Sequence, residues 1–211
     1  MISLERYAAL IESASTGEFM LPEHWAMVGN GPTIGSHFTH YAMLARQIGP
    51  EDDVLDLGCG CGLATRIYRL HTSGRVVAVD RPPAIDIAHF GYPTPGVEYV
   101  ACEFTTDALP RGQFDLVAFT EVYEHLDEAL GHRVIEQVAE RLRPCGRLLM
   151  SVPLLSRGPR QAAANFRHHV RDFTDEAAVL GEVADILRVG QSVALVSMQG
   201  VGESIEGRCR G

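Results

Sequence analysis

The sequence predicts an α/β fold built on a mostly parallel sheet, and three observations carry the prediction. Short apolar runs recur at the length of buried strands: Val54–Leu57, Arg75–Val79, Val97–Ala101 and Phe114–Phe119. The segments between the first three carry helical spacing. The first run enters a turn of three alternating glycines, Gly58, Gly60 and Gly62, followed by a helical pattern from Ala64 to Leu70. A strand, a glycine turn and a helix in that order make a nucleotide-binding turn, because a residue without Cβ lets backbone amides approach a ligand at a sharp reversal. The 211 residues suffice for one α/β domain, and no linker-like stretch interrupts them. Within it a helical cap is expected over 1–50, a core over 51–200 and a loose tail over 201–211.

Taken in order, residues 3 to 13 place Leu4, Tyr7, Ala8, Leu10 and Ile11 at helical spacing, and a second helical pattern runs from Phe38 to Gln47. A polar, glycine-containing segment with the only tryptophan, Trp25, lies between them. After the second strand, which Asp80 closes, Pro82-Pro83 opens a helix that ends near Gly91. The third and fourth strands follow. A helix is expected from Asp127 to Leu142 with Leu130, Val134, Val138 and Leu142 on its buried face, then a fifth strand from Gly146 to Val152. Leu154 to Arg171 is long, polar and rich in Arg, Gly and Ala, as binding loops tend to be. Thr174 is placed to cap a short helix through Val183, and Ile186 to Met198 reads as a terminal hairpin turning at Gly190-Gln191.

The spacing of the glycines chooses among nucleotides. A dinucleotide fingerprint needs a glycine at position 63, where the chain has Leu63. Asp56, at the end of the first strand, would repel a pyrophosphate but complements the ammonium and sulfonium of S-adenosylmethionine. Asp80 can accept hydrogen bonds from both hydroxyls of a ribose. The stretch Asp56-Leu57-Gly58-Cys59-Gly60-Cys61-Gly62 with Asp80 resembles the first motif and following acid of the class I S-adenosylmethionine-dependent methyltransferases.

That resemblance implies a Rossmann-like, seven-stranded, mostly parallel sheet with helices on both faces and an N-terminal helical cap. It also implies cofactor contacts at Asp56, Gly58, Cys59, Gly60 and Gly62, then at Asp80, Arg81 and Thr120. Glu103 would bond the adenine amino group and Phe104 would lie against the ring, although Cys102-Glu103 departs from the family's usual Gly-Asp. The N-terminal cap of such enzymes helps shape the acceptor pocket. Trp25, His37, His40 and Tyr41 are therefore substrate-side candidates, with Arg167 from the later loop; packing alone is the other explanation for Trp25 and Tyr41.

The most specific chemistry follows the fourth strand. Glu121, Glu124 and His125 stand at i, i+3 and i+4, so one helical turn would gather them on one face at the carboxyl end of a strand, where open α/β sheets bind ligands. This E-x-x-E-H pattern, with a later His before an aromatic-Thr sequence, is similar to that of the small-RNA 3′-end 2′-O-methyltransferases and the ubiquinone-pathway O-methyltransferases. The resemblance implies Glu121, Glu124, His125 and His169 as ligands of a divalent cation (Mg, Mn or Zn), with His168 as the neighbouring alternative. Two carboxylates and two imidazoles suit such an ion, which would lower the acceptor hydroxyl's pKa. Without metal, His125 or His169 is the proton acceptor, with Glu121 as the third catalytic candidate.

The formal net charge of −9 predicts no broad attraction to phosphate backbones or anionic membranes, and all 18 cationic side chains are arginine. Arg157, Arg160, Arg167 and Arg171 nevertheless form a local basic stripe. No apolar run near the N-terminus reaches the length of a signal peptide or a membrane span. The five cysteines lack structural-zinc spacing, and a reduced, cytoplasmic protein is expected. The expected activity is methyl transfer from S-adenosylmethionine to an oxygen of a small molecule or peptide. The alternatives are an RNA 3′-terminal 2′-O-methyltransferase and a non-catalytic S-adenosylmethionine-binding partner protein.

Overall fold

Val54–Leu57 form β1, a strand with no exposed side chain. It pairs in parallel with β2, Val76–Asp80, which pairs in parallel with β3, Val97–Ala101. Strands β1 and β2 are buried on both faces and read as short, mainly apolar runs, which is why the sequence located them, while β3 is partly exposed. The computed structural model describes residues 5, 31–91, 93–154, 169–197 and 205–206. The chain divides into two units, Met1–Asp107 and Ala108–Gly211.

Over residues 31–107 the first unit holds β1 to β3 and the helices α1, Gly31–Ala45; α2, Leu63–Arg69; and α3, Pro82–Gly91. On α1, His37, His40, Tyr41, Leu44 and Ala45 are buried at i, i+3, i+4, i+7 and i+8, one face of a helix, and α1 packs on α2. Helix α3 packs on β2 and β3 through Ala84, Ile85, Ile87 and Ala88. The register sets Leu57 beside Val79, so Asp80 extends one residue past the end of β1 and meets the turn that follows.

The second unit holds β4, Phe114–Thr120; β5, Leu142–Val152; β6, Ser192–Ser197; and β7, Ile205–Glu206. Its helices are α4, Glu128–Arg141, and α5, Glu176–Ala184, and a single 3-10 turn covers Tyr123–His125. Helix α4 is capped by Asp127, whose carboxylate accepts from the Leu130 amide at 2.8 Å. Its buried stripe, Gly131, Val134, Ile135, Val138 and Ala139, faces β5, and each large aliphatic side chain contributes about 1.5–3 kcal/mol on burial. The Gln191 amide closes the far end of α4 by donating to Ala139 O and Leu142 O at 2.9 and 3.0 Å.

Among the described residues six strands pair in parallel, three in each unit, so the pairing is mostly parallel as expected. Over the described residues 186–197 the expected hairpin does not form. Strand β6 pairs in parallel with β5, residues 186–190 form the turn leading into it, and its antiparallel neighbour is the two-residue β7, inside the stretch expected to be a loose tail. The short helix before it is capped by Asp175, which accepts from the Ala177 amide at 3.0 Å, and not by Thr174. Strand β5 also starts earlier than expected, with a bulge opposite Phe114–Leu116 that puts Cys145 at a φ of 63°. The first expected helix, 3–13, and Trp25 lie outside the described residues apart from residue 5.

Candidate functional site

In the first unit the glycine turn has the geometry that its sequence requires. Gly58, Gly60 and Gly62 all take left-handed backbone, at φ 79°, 53° and 81°. The amides of Gly58 and Cys59 both donate to Val79 O, at 2.8 and 3.0 Å, which ties the turn to the end of β2. Around Gly62 the space is closed, since a methyl group there would stand 3.3 Å from Ala88 Cβ. Around Gly60 it is open, with no atom within 4 Å of the same position.

Two carboxyl groups border this turn. Asp56 is fully buried, and one of its oxygens accepts from the Thr65 hydroxyl on α2, a partner that the sequence did not announce. Its other oxygen, Oδ1, is buried with no hydrogen-bond partner. Burial lifts the Asp56 pKa to about 7; the Thr65 bond opposes that rise and the Asp80 charge adds to it. Asp80 accepts from the Gly60 amide at 2.8 Å and from the Arg81 amide at 2.7 Å, and burial still lifts it to about 6 against those two bonds.

The remaining cofactor candidates of this unit are more loosely placed. Glu103 follows β3 half-buried and accepts from the Thr105 hydroxyl at 2.6 Å, while Phe104 beside it is buried. On α1 the His37 and Tyr41 rings meet edge to face at 6.0 Å. His40 is buried with its Nδ1 unpartnered, and burial, with the nearby His37, lowers its pKa, so the ring is neutral near pH 7.

In the second unit Thr120 is buried at the end of β4, level with Ser151 on β5. The helical turn expected over Glu121–His125 does not form. Glu121 has left-handed backbone, φ 56°, and only Tyr123–His125 form a 3-10 turn, so the i, i+3, i+4 face is broken at its first residue. Glu124, His125 and His169 nevertheless come together: each offers a ligand atom, and these atoms lie within 4.8 Å of one another. The His125 and His169 rings are perpendicular with centroids 5.0 Å apart, and Glu124 Oε1 lies 3.8 Å from His125 Nε2. Glu121 stands outside that trio. Glu124 is buried with Oε2 unpartnered, and Glu121 Oε1 is unpartnered too. Burial lifts Glu121 to about 7, eased by the nearby Ser151 hydroxyl; Glu124 is raised well above its ordinary value by burial and then by the Glu121 charge.

His169 is brought here by its own chain. The Val170 and Arg171 amides donate to Glu124 O at 2.9 and 3.0 Å. Arg171 then makes a two-pronged pair with Glu182 on α5, at 2.9 and 2.8 Å, and lies over the Tyr123 and Phe173 rings. Arg171 is thus not a free member of the basic stripe; Arg157, Arg160, Arg167 and the alternative ligand His168 lie outside the described residues. Sequence reasoning missed Glu182, which reads as an ordinary helix-surface acid.

A family model described as a methyltransferase domain matches residues 36–182. No protein of curated function matches the chain by sequence. Among solved structures, the S-adenosylhomocysteine-bound CalO1, a methyltransferase in calicheamicin biosynthesis, is 17% identical with a TM-score of 0.58 over 78% of this chain and 51% of its own. The N-methyltransferase NodS of Bradyrhizobium japonicum, also with S-adenosylhomocysteine, is 22% identical with a TM-score of 0.53 over 67% of this chain and 70% of its own. An enzyme of a pericyclic reaction is 18% identical with a TM-score of 0.55 over 68% of this chain and 40% of its own. The chain therefore spans well under two thirds of two of these three relatives. At these identities the likeness is one of mixed α/β, Rossmann-like fold, and a fold hosts more than one chemistry. The family match covers most of the sequence, and by it the chain belongs to the methyltransferase domain family.

Proposed function

We propose that the protein transfers a methyl group from S-adenosylmethionine to an oxygen of a small-molecule or peptide acceptor. The observation that carries this reading is the turn at Asp56, Gly60 and Asp80. A buried carboxyl with an orphaned oxygen suits a cationic ligand, and the open space at Gly60 lets that ligand meet backbone. Asp80 keeps lone pairs for a ribose diol beside its two amide bonds. Arg81, Glu103, Phe104 and Thr120 complete the proposed cofactor contacts. Methyl transfer is an in-line displacement, so alignment of acceptor and sulfonium supplies much of the rate. That both units serve one domain is part of the proposal, supported by a family match that runs through their division.

On the acceptor side, His125 or His169 takes the hydroxyl proton, as neutral imidazoles do near pH 7. Glu124, His125 and His169 also fit a divalent cation, since one carboxylate and two imidazoles converge and Glu124 Oε2 has no other partner. Such an ion would lower the pKa of the acceptor hydroxyl. Glu121 is then a neighbouring acid and not a fourth ligand. His37, Tyr41, Trp25 and Arg167 remain the substrate-side candidates. The buried thiols of Cys59, Cys61 and Cys102 support a reducing, cytoplasmic setting, and among the described residues no helix is long and apolar enough to cross a membrane. The net charge of −9 disfavours the RNA alternative.

Transfer of labelled methyl from S-adenosylmethionine to a panel of hydroxyl acceptors, run with and without chelator, tests the reading. Loss of transfer in chelator, recovery with Mn or Zn, and lower metal content in Glu124→Gln than in Glu121→Gln are expected. Full turnover in excess chelator removes the cation and leaves an imidazole base. Binding of S-adenosylmethionine with no transfer to any acceptor favours the partner-protein alternative.

A further inference from the structure

The side chains that set the His125–His169 pair in place lie outside the pair itself. Glu182 Oε1 accepts from the Tyr123 hydroxyl at 2.5 Å, lies 3.0 Å from His132 Nε2 on α4 and takes one prong of Arg171, while Oε2 takes the other. The Arg171 guanidinium stands 5.2 Å from the Tyr123 centroid and 4.8 Å from that of Phe173, and those two rings are stacked at 5.7 Å with 7° between their planes. Tyr123 sits one residue before Glu124, and Arg171 two residues after His169. The Arg171–Glu182 ion pair, with the Tyr123 hydroxyl bonded to the same carboxylate and the guanidinium over the Tyr123 ring, therefore joins the segment bearing His169 to the turn bearing Glu124 and His125, and the two amide bonds to Glu124 O join them a second time.

We propose that Arg171 and Glu182 are positioning residues that hold His169 against Glu124 and His125. A planar guanidinium suits the slot because it can meet a carboxylate with two parallel bonds while an aromatic face covers it; a lysine ammonium does neither as well. Against the burial that would raise it, the Arg171 bond, followed by that of Tyr123, holds the Glu182 carboxyl down at about 2, so the pair stays charged throughout the working pH range. The inference rests on the reading of the trio as the acceptor-side site only for its functional consequence.

The experiment follows the two histidines directly. In the intact protein, selective labelling should give a nuclear Overhauser cross-peak between the His125 and His169 ring protons. Arg171→Ala should abolish that cross-peak and lower kcat by about 10- to 100-fold, with S-adenosylmethionine affinity by calorimetry unchanged. Added guanidinium ion, at concentrations well below denaturing ones, should restore both. Arg171→Lys and Glu182→Gln, which keep bulk in the slot, provide the same readout should the alanine variant fail to fold. A cross-peak of full strength in any folded variant overturns the proposal. A lost cross-peak with unchanged kcat leaves the positioning role standing and removes the trio from the acceptor site.

Discussion

Asp56 has one oxygen held by Thr65 and the other buried without a partner, and a group in that position links cofactor binding to pH. Its pKa in the folded protein, about 7, lies above the ordinary value of 3.8, so between those values the native state binds more protons than the unfolded chain. The associated stability is fully present below pH 3.8 and is lost as pH rises through 7. Asp80, raised to about 6, acts in the same direction over the lower part of the window. A cationic ligand prefers the ionised form, so its affinity should rise as the unliganded protein's stability falls. Thermal unfolding between pH 5 and 8 should show a falling Tm without cofactor, and calorimetry a rising affinity for S-adenosylmethionine. Asp56→Asn should flatten the affinity slope and make the Tm slope shallower, since Asp80, Glu121 and Glu124 still contribute to the latter; unchanged slopes in that variant would place the titration elsewhere. Asp56 and Asp80 were legible in the sequence because each stands at the carboxyl end of a short apolar run, next to last in β1 and last in β2, whereas Thr65, one more polar residue on a helix, carries no such mark.

At the level of the element, the strand–turn–helix unit of β1 and α2 separates two uses of glycine. Gly62 has both left-handed backbone and a neighbour at 3.3 Å, while Gly60 has left-handed backbone beside open space. Gly62→Ala should therefore destabilise the fold by about 1–2 kcal/mol from backbone strain, with a further loss from contact with Ala88, and leave affinity less affected. Gly60→Ala should cost the strain alone but place a methyl group where a ligand would approach, so its larger effect should be on S-adenosylmethionine binding. Equal losses of affinity in the two variants, measured by calorimetry beside thermal unfolding, would mean that the open space is not the cofactor's. Alternation of Gly58, Gly60 and Gly62 announced this unit in full. The element after β4 was misread for the converse reason: Glu121 adopts a glycine-like conformation with no glycine to signal it, and helical spacing over 121–125 was taken at face value.

For the molecule as a whole, what local pattern could not show was partnership between distant segments. The apolar stretch from Ile186 to Met198 looks like a hairpin because Gly190-Gln191 divides it, yet β6 finds its partner in β5 through long-range parallel pairing that leaves no local signature. Glu182 and Arg171 are the same case in side chains, eleven residues apart and joined to Tyr123 across 59. Folding as a cooperative unit leaves a net stability of only about 5–15 kcal/mol, and one strained residue is a visible part of it. Glu121, with φ at 56° and a buried carboxyl oxygen without a partner, is such a residue. Glu121→Gly should relieve about 1–2 kcal/mol of strain, more than the added chain entropy of about 0.5–1 kcal/mol takes back, and so raise Tm, whereas Glu121→Gln keeps the strain. A Tm no higher in the glycine variant than in the glutamine variant would show the backbone to be relaxed. A laboratory screen that rewards heat resistance alone would drift toward glycine at this position and return a sturdier protein that has lost the buried acid whose charge acts on Glu124.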